Sequence, residues 1–188
     1  MKNLLFFCTA LLFLTGCAYK NEALALAPYH ADYAGPLSKE HKSVYVRLVK
    51  DLRSDKQTIG ALLNNGKMLA PLSTTADFEK RYHEGILQAL QRAGFDTQSA
   101  TRAANLVVEV YVKDVDIVYN DKNFDTNLKG EIEIEVLIRK ENEVITQNFR
   151  QKGSKWMKPS FESKDLEPFL YELFTDSIDQ IVTRLVRM

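Results

Sequence analysis

The sequence predicts a small α+β domain of order β-α-β-β-β-α, a four-stranded, mainly antiparallel sheet with two helices packed on one face. Three observations predict it. Apolar residues recur at every second position in four segments and at helical spacing in two others. Every one of these stripes is one-sided. A single helical layer laid over a single sheet face therefore buries them all.

The first strand begins after Ser43, where Val44, Val46 and Leu48 alternate with Tyr45, Arg47 and Val49. Residues 51–71 read as a polar loop containing Gly60 and a hairpin-type turn signal at Asn65-Gly66. The period then changes. Phe78, Tyr82, Ile86, Ala89, Leu90 and Ala93 form one helical stripe, with Ser73, Thr74 and Thr75 as candidate caps and Gly94 as the stop. In the next strand Val108, Val110 and Val112 keep one parity, while Val115, Ile117 and Tyr119 keep the other, which predicts a bulge near Lys113-Asp114. Ile132, Ile134, Val136 and Ile138 then face one side of a strand whose other side is Glu131, Glu133, Glu135 and Leu137. A turn at residues 140–142 leads to a more polar strand over 144–151. The last element is a helix over 166–187 with a wide apolar face, capped by Asp165 with Pro168 in its first turn.

Upstream of the domain the chain has a different character. Lys2 precedes an apolar run, Leu4 to Leu14, far shorter than the ~20 residues that cross a bilayer core. This arrangement marks residues 1–16 as a signal peptide. Its end, Leu14-Thr15-Gly16-Cys17, resembles the lipobox of bacterial lipoproteins: an aliphatic residue, two small residues and a cysteine. Small side chains at Thr15 and Gly16 give a peptidase access to the bond before Cys17. The resemblance implies a diacylglycerol on the Cys17 thiol and an acyl chain on its amine, and no other cofactor. Cys8 lies inside the discarded run, so the chain from Cys17 onward has no free thiol, which suits an oxidising periplasm. Ala18 stands where similar lipoproteins retained in the inner membrane carry Asp, so the expected location is the outer membrane, on its periplasmic face. Residues 17–42, with Gly35, Pro28 and Pro36, read as the lipidated N-terminus and a flexible tether to a single domain over 43–188. For the Ala/Leu run at 22–27 the alternatives are a short helix or a strand added to the domain's edge.

Composition narrows the function. Lys+Arg and Asp+Glu both number 25, so no basic excess points to nucleic acid. Two cysteines exclude a disulfide scaffold and a multi-cysteine zinc ribbon. His30, His41 and His83 lack metal-ligand spacing. The stretch Asp121-Lys122-Asn123-Phe124-Asp125 begins like a calcium loop, but Thr126 replaces its glycine and Ile132 its bidentate glutamate. Glu131, Glu133 and Glu135 imitate a carboxylate pair for acid–base work, yet a row on an open sheet face is ordinarily solvated. Nucleophile elbows and phosphate-cradling glycine loops are missing. The expectation is therefore a protein that is not an enzyme and holds no metal.

Two segments remain as candidate interaction sites. Trp156, Met157 and Phe161 lie in a Pro-containing loop, either as an exposed contact or as cover for one end of the core. Asp51, Arg53 and Asp55 follow the first strand, where Arg53 pairing with either aspartate would shape the loop.

Those charges also carry a resemblance. Val44-x-Val46, then Asp51-x-Arg53-x-Asp55-Lys56 and Ile59-Gly60, then Leu87, Leu90 and Gly94-Phe95, then Leu106 to Val110 leading to Tyr119, resemble the YajG family of bacterial lipoproteins. The resemblance implies an envelope lipoprotein with a compact α+β domain and carries over no catalytic or ligand residue. The element order also resembles periplasmic lipoprotein domains that assist lipid transport and lipopolysaccharide assembly. The leading expectation is an outer-membrane-anchored binding or scaffold module that meets an envelope protein through its polar sheet face or a sheet edge. The alternative is a lipid- or glycan-binding auxiliary component of an envelope transport or assembly system.

Overall fold

The computed structural model describes residues 22–30, 33–40, 42–98, 103–122, 126–159 and 161–188. The expected signal peptide, Leu14, Thr15, Gly16, Cys17, His41 and residues 123–125 of the calcium-like stretch lie outside the described residues.

The domain is α+β, and its sheet has six strands rather than four. These are β1 (Val44–Asp51), β2 (Thr58–Asn64), β3 (Lys67–Ser73), β4 (Leu106–Asn120), β5 (Leu128–Lys140) and β6 (Glu143–Lys155). Helix α1 (Phe78–Arg92) separates β3 from β4, and α2 (Glu167–Val186) follows a 3₁₀ turn at Ser163–Leu166. The strands run in the order β3-β2-β4-β5-β6, with β1 also paired to β4. The sheet is mixed. β1 runs parallel to the first half of β4, from Val44 opposite Leu106 to Asp51 opposite Val112, and β2 runs parallel to its second half, from Gly60 opposite Ile117.

The two additional strands come from the segment expected to be a loop. Asn65 (φ 51°) and Gly66 (φ 77°) form the expected tight turn, since two positive φ values suit a two-residue hairpin. The flanking strands lack clean alternation because their register shifts twice, near Gly60 and between Leu62 and Leu63. Elsewhere the sequence pattern holds. The β4–β5 register shifts between Val112 and Asp114, where the parity switch placed a bulge.

Asp77 caps α1 by accepting from the Lys80 N–H at 2.9 Å, which corrects the expected caps: Ser73 closes β3, and the Thr74 hydroxyl donates to Leu24 O. Gly94 at φ 88° stops the helix. Asp165 does not cap α2 either. It accepts from Glu162 N within the 3₁₀ turn, and α2 starts behind it with Pro168 in the first turn.

Both helices cover the same sheet face, α1 near β1 and α2 over β5 and β6. They join through a buried hydrogen bond between Tyr82 Oη and Ser177 Oγ (2.8 Å) and an edge-on contact of Tyr82 with Phe174 (4.9 Å between centroids). Gly130 and Gly153 sit opposite each other on β5 and β6, directly beneath α2. A Cβ on Gly130 would lie 2.8 Å from the Phe169 ring, so paired glycines let that ring reach the strands.

The described part of the expected tether is docked, not free. Leu24, Leu26 and Tyr29 are buried in the core, and Leu24 bridges to Thr74 at the end of β3 in parallel. This is close to the added edge strand, reduced to a single bridge. Tyr29 donates to Asp179 Oδ1 (2.7 Å) and packs against Gly85 of α1, while His30 N donates to Tyr171 Oη (3.1 Å). Three apolar residues spaced too closely to show a period thus close one side of the helical layer. Leu24→Ala should lower the unfolding free energy of the full chain by about 2–5 kcal/mol in urea denaturation. A change below about 0.5 kcal/mol would return this segment to the status of a tether.

Candidate functional site

One face of the sheet carries no helix among the described residues. Strand alternation and register assign its residues row by row: Tyr45, Val107, Arg139 and Val144, then Leu48, Glu109, Leu137 and Thr146, then toward the far end Asp116, Glu131 and Lys152. The first rows are largely apolar, with Leu48 38% and Val144 54% exposed. Glu109 is buried among them because Arg47 pairs with it at 3.0 Å and Tyr111 Oη donates to it at 2.6 Å.

The far end is ionic. Arg150 bridges Glu131 (2.8 Å) and Glu133, and Lys152 pairs with Glu131 at 3.0 Å. The Lys152 hydrogen bond, with help from Arg150, holds the Glu131 carboxyl below the ordinary range. A general acid needs the opposite shift. Asp116, opposite Glu131 in the register, is raised by partial desolvation and by the nearby Asp114 and Glu131 charges. A groove of about 650 Å³ lies at this end, its lining including Asp116, Val118, Asn120, Lys129, Glu131 and Lys152.

Arg53 chooses Asp51. Its Nε lies 3.0 Å from Asp51 Oδ1 and its Nη2 2.7 Å from Oδ2, a two-pronged pair with both residues almost wholly buried. The guanidinium carbon sits 4.5 Å from the Phe78 ring centroid, and Nη1 has no hydrogen-bond partner. Arg53 Nη2 also donates to Lys56 O, and Glu79 accepts from Asp51 N and Lys56 Nζ. Asp55 stays apart. Its carboxylate accepts from Gln57 N and Thr58 N and starts β2. These three residues brace the crossing from β1 to β2, with Asp51 and Arg53 buried and Asp55 exposed.

The Trp156 loop divides. Phe161 packs on Tyr119 (4.5 Å between centroids), and Met157 is clamped by both ends of the buried Asn127 side chain, at 2.6 and 2.7 Å. Both cover the core. Trp156 is 57% exposed and stays a candidate for contact. The sequence reading missed the apolar rows on the open face, because Tyr45, Leu48, Val107 and Val144 come from three strands and only the register unites them. Among the described residues no group of three His, Cys, Asp or Glu side chains is placed to hold a metal, and no helix is long and apolar enough to cross a membrane.

The family model Lipoprotein_16, described as uncharacterized lipoprotein, matches residues 38–183, and the chain belongs to that family. This agrees with the YajG-like resemblance. No curated protein matches the chain. Among solved structures, protein XCC0632 from Xanthomonas campestris, of family-model DUF330, is similar at 13% identity, a TM-score of 0.53 and coverage of 88% of this chain and 93% of that one. The hypothetical protein CT253 from Chlamydia trachomatis is similar at 12% identity, a TM-score of 0.40 and coverage of 75% and 96%. The first likeness shows a shared fold.

Arg53→Met leaves Asp51 buried and unpaired and should cost about 3–5 kcal/mol, with the double variant Asp51→Leu/Arg53→Met recovering most of that loss in chemical denaturation. Asp116 has a folded-state pKa above its unfolded value, so its ionisation weakens the fold as pH rises through that raised value. Asp116→Asn should therefore raise Tm at pH 7, with the gain vanishing below the ordinary aspartate range of about 3.9.

Proposed function

We propose that this family lipoprotein is held on the periplasmic face of the outer membrane by acyl chains on Cys17 and uses the open sheet face to recognise an envelope protein, without catalysis. The observation that carries this reading is the uncovered face itself. It places the exposed Leu48 and Val144 beside Tyr45 and Leu137, with ion pairs at the far end, an apolar centre with a polar rim that suits protein recognition. Glu131, lowered and paired to two cations, supports the non-enzymatic side.

Anchoring follows from Leu14-Thr15-Gly16-Cys17, with Ala18 directing the protein outward. A near-neutral chain gains little from anionic headgroups, so attachment rests on the acyl chains, at about 0.8 kcal/mol per buried CH₂ and with more than one chain required. The groove at the ionic end favours a second reading, a glycan or lipid headgroup held by Asn120, Lys129 and Lys152.

A photo-crosslinking residue at Leu48 or Val144, in cells, should capture the same envelope protein repeatedly, and Cys17→Ala should release the chain from the outer membrane or leave its precursor uncleaved. Recovery of no repeated partner, together with turnover by the purified protein, would overturn the reading. A co-purifying lipid or glycan in native mass spectra, lost in Lys129→Ala/Lys152→Ala, would favour the second reading over the first.

A further inference from the structure

The strand path β3-β2-β4-β5-β6 has two ends of different kinds. β3 ends it on one side with Pro71 inside the strand and Leu24 docked beside Ser73, two devices that blunt an edge. β6 ends it on the other with 13 residues, no proline and no register shift against β5. Its outward backbone groups face no other strand among the described residues. We infer that this edge pairs with the β6 edge of a second copy of the chain, antiparallel about Phe149, making a twofold dimer with one continuous sheet.

Charge pattern selects the occupant and the register. The alignment that overlaps the whole strand puts Phe149 opposite itself and Glu143 opposite Lys155 at both ends. Lys152 falls opposite Thr146 and Arg150 opposite Asn148, so no like charges face each other directly. Sliding one strand by two residues in one direction sets Arg150 against Arg150, and by four sets Lys152 directly against Arg150, with the end pairs lost in both. Full overlap also keeps both helical layers on the same side, because each residue meets one of equal parity.

The helices agree with the strands. A groove of about 500 Å³ runs along β6 beneath α2, lined by Phe149, Gln151, Asp176, Gln180, Arg184 and Arg187. Its acidic end is Asp176 and its basic end Arg184 and Arg187, which form no ion pair among the described residues. α2 runs antiparallel to β6, with Asp176 beside Gln151 and Phe169 beside Gly153. A twofold axis at Phe149 therefore brings Asp176 of one copy to the arginine end of the other. Strands spaced about 4.8 Å apart place a helix over β5–β6 and its copy roughly 10 Å apart, an ordinary helix-packing distance. Desolvation and the charges of Glu172 and Asp179 push Asp176 upward, so a cation from a partner relieves it.

The test uses the full-length lipoprotein in detergent and in cells. Light scattering corrected for the micelle should give the mass of two chains. Arg187→Glu and Asp176→Lys should each weaken the dimer about tenfold. Combined in one chain they should restore it, because each new lysine then meets a new glutamate. Phe149→Cys should form a disulfide-linked pair in the periplasm and Met68→Cys, on the opposite edge, should not. A wild-type monomer across the concentration range, a dimer indifferent to both charge variants, or Phe149→Cys linked to a different protein would each overturn the inference.

Discussion

Everything in this domain is hung on β4. Its 15 residues pair with β5 on one side and with β1 and β2, end to end, on the other. A strand in that position must satisfy ladders on both edges along most of its length. It must also turn its apolar side to the helices in both halves, which the bulge after Val112 achieves by adding one residue. The break between β1 and β2 is the weak point of such an arrangement. The Asp51–Arg53 pair, Phe78 and Glu79 fill it, so a buried ion pair stands where a continuous strand would otherwise lie. That pair is the same Asp51-x-Arg53 signature that carries the family resemblance, and it is buried against Phe78.

What could be read from the residues was whatever repeats along one element. The alternation of Ile132, Ile134, Val136 and Ile138 gave β5, and the parity switch around Lys113 gave the bulge, because each depends on neighbours in the chain. The hairpin of β2 and β3 left only its turn legible: Gly60 and the double register shift destroy the period of two, and Met68 and Leu69 are exposed although apolar. Parallel pairing of β1 with β4 was hidden for a different reason. It is a relation between segments separated by a hairpin and a helix, and no local pattern encodes it. Leu24, Leu26 and Tyr29 show the same limit, since burial of three residues in a Pro-containing stretch is decided by the gap they fill.

The candidate surfaces follow from the one-sided layering. With both helices on one face, the other retains its rows of Tyr45, Leu48, Leu137 and Val144, and the sheet ends in β6 without a covering element. Ion pairs at the far end of the open face, among Glu131, Glu133, Arg150 and Lys152, are exposed and screened, so they position and exclude more than they bind. The apolar rows supply the gain from burial.

The docked segment at Leu24 bears on geometry at the membrane. On the proposed acylation of Cys17, about seven residues would join the lipid to a point fixed against Ser73 and Thr75, and a fully extended chain of that length reaches at most ~25 Å. Such a leash would confine the domain to a thin layer above the headgroups, where any partner search proceeds by lateral diffusion in two dimensions. Its local concentration toward other components of the same leaflet rises accordingly. A short leash fused to both helices also means that a pull on the acyl chains is felt in the core, not absorbed by slack.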